Sequence, residues 1–526
     1  MSTSPRRRIG PVDTIWLNMD RPNNLMVIES LMLLEAVPDW DAVAQLIRRR
    51  VVEPFPVFHQ RPEAASLVGQ PFWVDDEDFT LERHLVRATL PAPGDDAALQ
   101  SYMESRLHVP LDRAHPLWQL HLIDGYGHGA ALFLRIHHSL ADGVALARVL
   151  MSLTDGGPDE APGQAASAGA AAAPTLTGAL DNPDVVATIQ GLENLEHLEN
   201  LEGFERPDQP ERRDGDEGRA ASAPPAPNRS SPPLVGVGLR VARDGVGALL
   251  RLPTPSGALD AARLGVRTTQ VVADLLFAHN PANPFDGRPS GAKRVVWTDP
   301  LPLVGPKQLG RLAGATLNDV LMSAVAAALH RYQTDRGESP VDLVTMVPVN
   351  VRPLDEPLPP ELGNRFALVF FRFPSALGAP LARLSETKRR MDWLKASPEA
   401  VLTYALINAI GRTSPGLERY VVDFFANKAI GVTTNVAGPR SVRTLAGVPV
   451  TGVLGWVPGS GRHTVGVCIF TYAGTVRVGF MTDAAVVPDP ERLLAAFEDE
   501  LDHIVRIGRA RPRRGRSRRA DRPRAT

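Results

Sequence analysis

Two adjacent histidines, His137 and His138, close the apolar run in LFLRIHHSLADGVALARVL, and Asp142 and Gly143 follow them. An imidazole titrates near pH 6.5, so it can accept a proton at neutral pH, which makes either histidine a candidate general base. Two other roles compete at this point. Both rings could be structural, at the end of a buried strand. They could also bind a metal, but neighbouring strand residues point to opposite faces, and no HExxH frame or cysteine cluster lies nearby. Ser139 follows the pair directly, but there is no GxSxG frame to make it a nucleophile. No GxxxxGKS/T loop is present to cradle nucleotide phosphates.

The elements around the pair have to position it. ALFLRI predicts a strand with Leu132, Leu134, Ile136 and His138 on one face and Phe133, Arg135 and His137 on the other. VALARVLMSL predicts a helix. Asp142 stands where a side-chain cap or turn lock belongs, and Gly143 where a glycine could relax the backbone. Upstream, LMVIESLMLLE reads as a strand, DWDAVAQLIRRRVV as an amphipathic helix capped by Asp39, and ALQSYMESRLHV as a second helix. Downstream, RVVWTDPLPL, DLVTMVPVNVR, NRFALVFFRFP, KAIGVTTNVAGPR, TVGVCIFTYAG and TVRVGFMTD carry strand patterns. TLNDVLMSAVAAALHRYQ and DPERLLAAFEDELDHIV carry helical ones. Strands alternate with helices in both halves, which predicts an α/β or α+β fold.

The chain of 526 residues is 44% hydrophobic and 22% charged, a globular composition with room for more than one core. Its net charge of -2 gives no sign of nucleic-acid binding. The ends differ from the whole: Arg6, Arg7 and Arg8 open the chain, and residues 506–526 are dense in arginine against a lone Asp521, a pattern that could rest on anionic lipid or nucleic acid or be a solvated tail with no partner. The single cysteine, Cys468, excludes an internal disulfide. No apolar segment follows the basic start as a secretory signal would, and no run reaches the roughly 18 apolar residues of a membrane span. The expected organisation is a first lobe over 1–155, a low-complexity insertion over 156–233, a helical connector over 234–292, a second lobe over 293–505 and a basic tail over 506–526. Within the connector, LVGVGLRVARDGVGALLRL could lie on a membrane interface or pack between domains.

HHSLADG resembles the HHxxxDG signature of the CoA-dependent acyltransferase superfamily. The order of further segments narrows this. IGPVDTIWLNMDRPNNLMVIESLMLLE, PLDRAHPLWQLHLIDG, ATLNDVLMSAVAAALHRY, VPVNVR, LGNRFALVFFRFP, TTNVAGPR and TYAGTVRVGFMTD together resemble the bacterial wax ester synthase/diacylglycerol acyltransferase family over nearly all of residues 9–505, the insertion excepted.

The resemblance implies two chloramphenicol-acetyltransferase-like lobes with a tunnel between them. It implies an O-acyltransferase that moves a fatty acyl group from acyl-CoA to diacylglycerol or a long-chain alcohol, with acyl-CoA as substrate and no cofactor or metal. His138 would be the base, His137 a support for the loop, Asp142 a structural anion and Gly143 part of the motif. Asn318 in TLNDV and Asn435 in TTNVAGP become candidates to position substrate, as does Asp319, though Asn318 and Asp319 could equally cap their helix and Asn435 could simply close its turn. Asn350 and Arg352 would support the lobe interface, and PLDRAHPLW, with Asp112 and Trp118, would form a structural crossing. The chain departs from the pattern where serine is expected, at Asn350 and at Thr434, which bears on acceptor choice. The implied location is cytoplasmic, peripheral to the inner membrane or to lipid droplets. Two other outcomes are a related acyltransferase with a different alcohol acceptor and a non-catalytic lipid-binding protein.

Overall fold

The structure, a computed structural model, describes residues 6–64, 70–156, 280–350, 356–397, 399–412 and 415–510. The insertion, most of the connector, Arg352 and the tail beyond Ala510 lie outside them. The first half runs β1 (Arg7–Arg8), α1 (Pro11–Met19), β2 (Val27–Leu34), α2 (Trp40–Ile47), β3 (Gln60–Glu63), β4 (Phe72–Asp75), α3 (Leu81–His84), β5 (Leu85–Thr89), α4 (Asp96–Leu107), β6 (Trp118–Tyr126), β7 (Gly129–His137) and α5 (Gly143–Ser152). The second half opens with β8 (Lys293–Trp297), β9 (Leu301–Pro302), α6 (Val304–Ala313), α7 (Leu317–Asp335), β10 (Leu343–Asn350) and β11 (Phe366–Phe373). It continues with α8 (Pro380–Lys395), α9 (Glu399–Ile410), α10 (Pro415–Ala426), β12 (Gly431–Ala437), β13 (Thr444–Leu445), β14 (Val448–Trp456), β15 (Val465–Tyr472), β16 (Thr475–Asp483) and α11 (Pro490–Ala510). This is the mixed α/β architecture that the alternating patterns predict.

Two large sheets organise these elements. One has the order β11-β10-β12-β15-β16-β8, with β9 added along β16; the other has the order β13-β14-β2-β7-β6-β5. The second sheet is built from both ends of the chain. β14 leaves the second half and pairs antiparallel with β2, setting Trp456 opposite Glu29 and Leu454 opposite Leu31. β2 pairs on its other side with β7, Val27 opposite His137. β7 is therefore central, and all nine of its residues are buried. A strand covered on both faces reads as a continuous apolar run, which is why GAALFLRIH shows so little polar alternation. Its one cation, Arg135, meets Glu29 across the ladder at 3.4 Å and donates to Val109 O at 2.6 Å.

Local chemistry sets the helix starts. Asp39 caps α2 by accepting from Asp41 N and Ala42 N. Helix α1 begins on Pro11, whose missing N–H costs nothing in a first turn. Ile15 and Met19 of α1 pack with Met26 and with Ile410 and Val421 of α9 and α10, so this first-half helix is seated on the second half. No single described helix is long and apolar enough to cross a membrane. The bent pair α6–α7 meets that test by length and composition only, and α7 is buried along most of its length as a core helix.

Candidate active site

The two imidazoles diverge, as strand geometry requires. His137, the last residue of β7, is 1% exposed. Its Nδ1 accepts from Ser139 N at 3.2 Å and lies 2.8 Å from Ser139 Oγ. That assignment leaves the proton on Nε2, which faces Asp20 Oδ2 at 3.6 Å. Asp20 also accepts from Met26 N at 2.8 Å and lies 3.4 Å from Arg113. Burial works against its charge, but the His137 contact and Arg113 outweigh it and hold Asp20 below its ordinary pKa. Burial holds His137 below its own ordinary value despite Asp20. His137 is thus bracketed within a polar network, and the Ser139 hydroxyl is engaged with it.

His138 is the first residue beyond the strand. Its N–H donates to Met26 O at 2.7 Å. Its ring lies flat against Trp16 of α1, with centroids 4.2 Å apart and planes 14° apart, and is tilted on Phe366 of β11 at 5.6 Å. Nδ1 is buried with no hydrogen-bond partner. Burial, with His137 nearby, outweighs the help of its own backbone carbonyl and of the Asn364 side chain and pushes the His138 pKa down to about 4, so the ring is neutral at physiological pH.

Asp142 is the N-cap of α5, accepting from Ala145 N at 2.8 Å. Its other oxygen accepts from Arg365 N, in the second half, at 3.1 Å. One residue earlier, Asn364 is held by Asp13 of α1: Asp13 Oδ1 accepts from Asn364 N at 2.9 Å and from Asn364 Nδ2 at 2.7 Å. Asn364 Nδ2 also donates to His138 O at 2.7 Å. Gly363 N donates to Leu140 O at 3.1 Å. Leu362 and Gly363 both take positive φ, 53° and 71°, which turns these consecutive N–H groups toward the first half. Two buried carboxylates, Asp13 and Asp142, therefore grip adjacent amides of one turn, and that turn grips the histidine turn. Burial raises the Asp13 pKa to about 6 against the pull of Asn364, which still leaves it mostly ionised at neutral pH.

Gly143 corrects an expectation. It begins α5 with a φ outside the left-handed region, so its backbone does not require glycine. A Cβ there would meet only Val457 Cγ1, at 3.8 Å. Asp319 resolves toward its capping alternative. Thr316 is the N-cap of α7 and accepts from Asp319 N at 3.1 Å, while the Asp319 carboxylate accepts from Thr316 N at 2.8 Å. This reciprocal pair is a capping box. Asp319→Ala is expected to lower stability by about 1 kcal/mol, read by chemical denaturation, with turnover per folded molecule unchanged. The structure brings Asn318 and Asn435 together, Asn435 Nδ2 donating to Asn318 Oδ1. Asn435 Oδ1 is buried without a partner. Among the described residues, no hydrogen bond of this pair runs to the histidine turn. Asn350 is buried at the end of β10. Trp118 starts β6, donates to Phe58 O at 2.8 Å and packs inside the first core, while Arg113 of the same segment reaches Asp20.

Asp13, Trp16, Asp20 and Asn364 belong to the site but carry no motif of their own. The available signal was Asp13 itself, a carboxylate set among Val12, Thr14 and Ile15 on a helix face that folding buries.

Comparison with known proteins bears on the fold and the family. A family model described as the wax ester synthase/diacylglycerol acyltransferase catalytic domain matches residues 9–321, and the WS/DGAT C-terminal domain matches residues 362–505. A Mycobacterium tuberculosis (strain H37Rv) protein named as a diacylglycerol O-acyltransferase is 26% identical over 96% of this chain and 98% of its own. Another from the same strain, also named as a diacylglycerol O-acyltransferase, is 25% identical over 92% of both chains. The solved wax ester synthase/diacylglycerol acyltransferase from Marinobacter aquaeolei VT8 shares the fold with a TM-score of 0.61 and 22% identity, over 95% of this chain and 99% of that one. The first condensation domain of the calcium-dependent antibiotic synthetase shares it with a TM-score of 0.53 and 15% identity, over 97% of each. With both halves matched and the histidine turn seated where they meet, this chain is an acyltransferase and belongs to the wax ester synthase/diacylglycerol acyltransferase family.

Proposed function

We propose that this chain transfers a fatty acyl group from acyl-CoA to diacylglycerol or a long-chain alcohol, with His138 as the general base. The observation that carries the reading is the state of His138: buried, neutral, with no carboxylate on its ring among the described residues, and packed in a three-ring cluster with Trp16 and Phe366, one from each half. An alcohol hydroxyl ionises far above neutral pH and attacks a thioester slowly. With the hydroxyl at His138 Nε2, its proton passes to the ring as the new C–O bond forms. The tetrahedral intermediate then collapses, the C–S bond breaks and the imidazolium returns the proton to the CoA thiolate. The balance is alcohol plus thioester giving ester plus free CoA thiol.

Every step involves only proton and acyl transfer. The apolar surround formed by Trp16 and Phe366 keeps water from competing with the alcohol. His137, tied to Ser139 and Asp20, holds the strand exit, and Asp142 holds the turn against the second half. Asn435 Oδ1 offers an acceptor to a substrate N–H or O–H group. Both acceptor classes are poorly soluble in water, which favours action at a surface. The proposed setting is the cytoplasmic face of the membrane or a lipid droplet.

The test is a product assay with the full chain, labelled palmitoyl-CoA and a panel of acceptors including diacylglycerol, hexadecanol, short alcohols and a sterol. Ester on diacylglycerol or hexadecanol is the expected result. Ester only on a short alcohol or the sterol would overturn the acceptor assignment. The absence of ester on every acceptor would overturn the enzymatic reading.

A further inference from the structure

We propose that the face of the Trp16 indole stabilises the positive charge that His138 acquires during transfer, in place of the carboxylate that often backs a catalytic histidine. This rests on His138 being the base. A buried imidazole that accepts a proton becomes a cation with little water to solvate it, and a base so placed is weak unless something fixed meets that charge. A carboxylate hydrogen-bonded to the far ring nitrogen is the usual device. Here, among the described residues, no carboxylate is bonded to the ring; what favours the charged form is its own backbone carbonyl and the Asn364 side chain, both neutral. The contrast with its neighbour is direct, because the carboxylate in this region, Asp20, sits on His137.

What His138 does have is an aromatic plane. Trp16 lies parallel to it at 4.2 Å, well inside the roughly 6 Å at which a cation feels the negative face of a ring, and Trp has the strongest such face. Phe366 adds a weaker and more tilted face at 5.6 Å. Stacking uses the face of the imidazole and leaves its edge, where protons are exchanged, free for a hydroxyl. The attraction is small while the ring is neutral and grows as the proton arrives, so it acts on the transition state more than on the resting enzyme.

The charged and titratable groups around the ring are Asp13 from α1, Asp142 at the start of α5, and His137 from β7. Arg7 lies beyond Asp13, and Asp20 with Arg113 beyond His137. Asp13 and Asp142 spend hydrogen bonds on Asn364, Arg365 and Ala145, and His137 opposes a charge on His138. Trp16 is half-buried, and it is the group in full stacking contact.

The experiment replaces Trp16 by Phe and by Met, and also by tryptophans carrying one to four ring fluorines, which keep the shape of the side chain and drain the charge from its face. Trp16→Met is expected to lower kcat by roughly tenfold, with the KM for acyl-CoA and for acceptor within about twofold, and to move the acid limb of the kcat/KM profile to lower pH. Trp16→Phe should stay within about threefold of the parent. Across the fluorine series, kcat should fall step by step, and this arm holds even where the Met variant does not fold. A flat fluorine series, a loss carried by KM, or a Phe variant as poor as Met would overturn the proposal; the last would point to the indole N–H. A flat series alongside an inactive His138→Ala enzyme would sink this inference alone, whereas an active His138→Ala enzyme would sink the reading beneath it.

Discussion

His138→Ala is expected to lose acyl transfer by roughly 10²- to 10⁴-fold, the range supplied by a positioned general base. Stability should change little for a substitution this deep. His138 is 5% exposed, so removal of its ring leaves a gap beside the Trp16–Phe366 pair and forfeits stacking. The same change also removes a buried nitrogen that makes no hydrogen bond, and relieving an unsatisfied polar atom offsets part of the cost. The measurements are ester formation, thermal unfolding and acyl-CoA binding on the same preparation. Parent-like turnover would remove His138 from the chemistry. The acid side of the pH profile gives a companion reading. Burial lowers the folded His138 pKa to about 4, so this ring stays neutral as pH falls from 8 to 5, and its protonation should not limit the rate over that interval. Below pH 5 the base fills with protons and kcat/KM falls.

Asp142→Ala is expected to damage both stability and turnover. The carboxylate is 3% exposed and serves two backbone donors, Ala145 N within the first half and Arg365 N within the second. Loss of an N-cap costs about 1 kcal/mol, and a buried N–H left without an acceptor costs a further 1–3 kcal/mol. A total of roughly 2–4 kcal/mol should be visible as a shifted denaturation midpoint. Turnover should fall as well, because the turn that Asp142 holds also carries Asn364, whose amide fixes the His138 carbonyl. Asp142→Asn keeps one acceptor oxygen and should recover part of the stability. An Ala variant as stable and as active as the parent would show that Asp142 is neither cap nor tie.

The sequence made one wall of the site readable. HHSLADG sits between a strand pattern and a helix pattern, and both elements form where the periodicity puts them, with Asp142 as the cap. Asp39 at α2 was legible for the same reason, since a capping side chain acts on amides two or three residues away. The opposite wall was not legible. Asp13 and Trp16 come from α1, and Asn364 and Phe366 from a turn and strand more than two hundred residues later. Aspartate, tryptophan and asparagine at those positions obey no spacing rule relative to the histidines; folding alone puts them there. The Gly143 reading failed because a glycine in a motif suggests backbone freedom, whereas the conformation found at the start of α5 is open to other residues. Helices α8 to α10 escaped the pattern reading, although α9 and α10 provide the seat for α1. The departure of β14 for the other sheet also left no mark in its composition, because strand partners are chosen over distances that local patterning does not encode.

That exchange of β14 has a consequence for how the enzyme comes into being. The sheet that carries the histidine turn lacks a strand until Trp456 has been synthesised, and until then β2 presents an open edge of unpaired amides and carbonyls. A nascent or truncated chain can hold every residue of HHSLADG and still have no site. Catalytic competence is therefore gained only when a strand synthesised more than four hundred residues after β2 arrives to finish the sheet that β2 and β7 began.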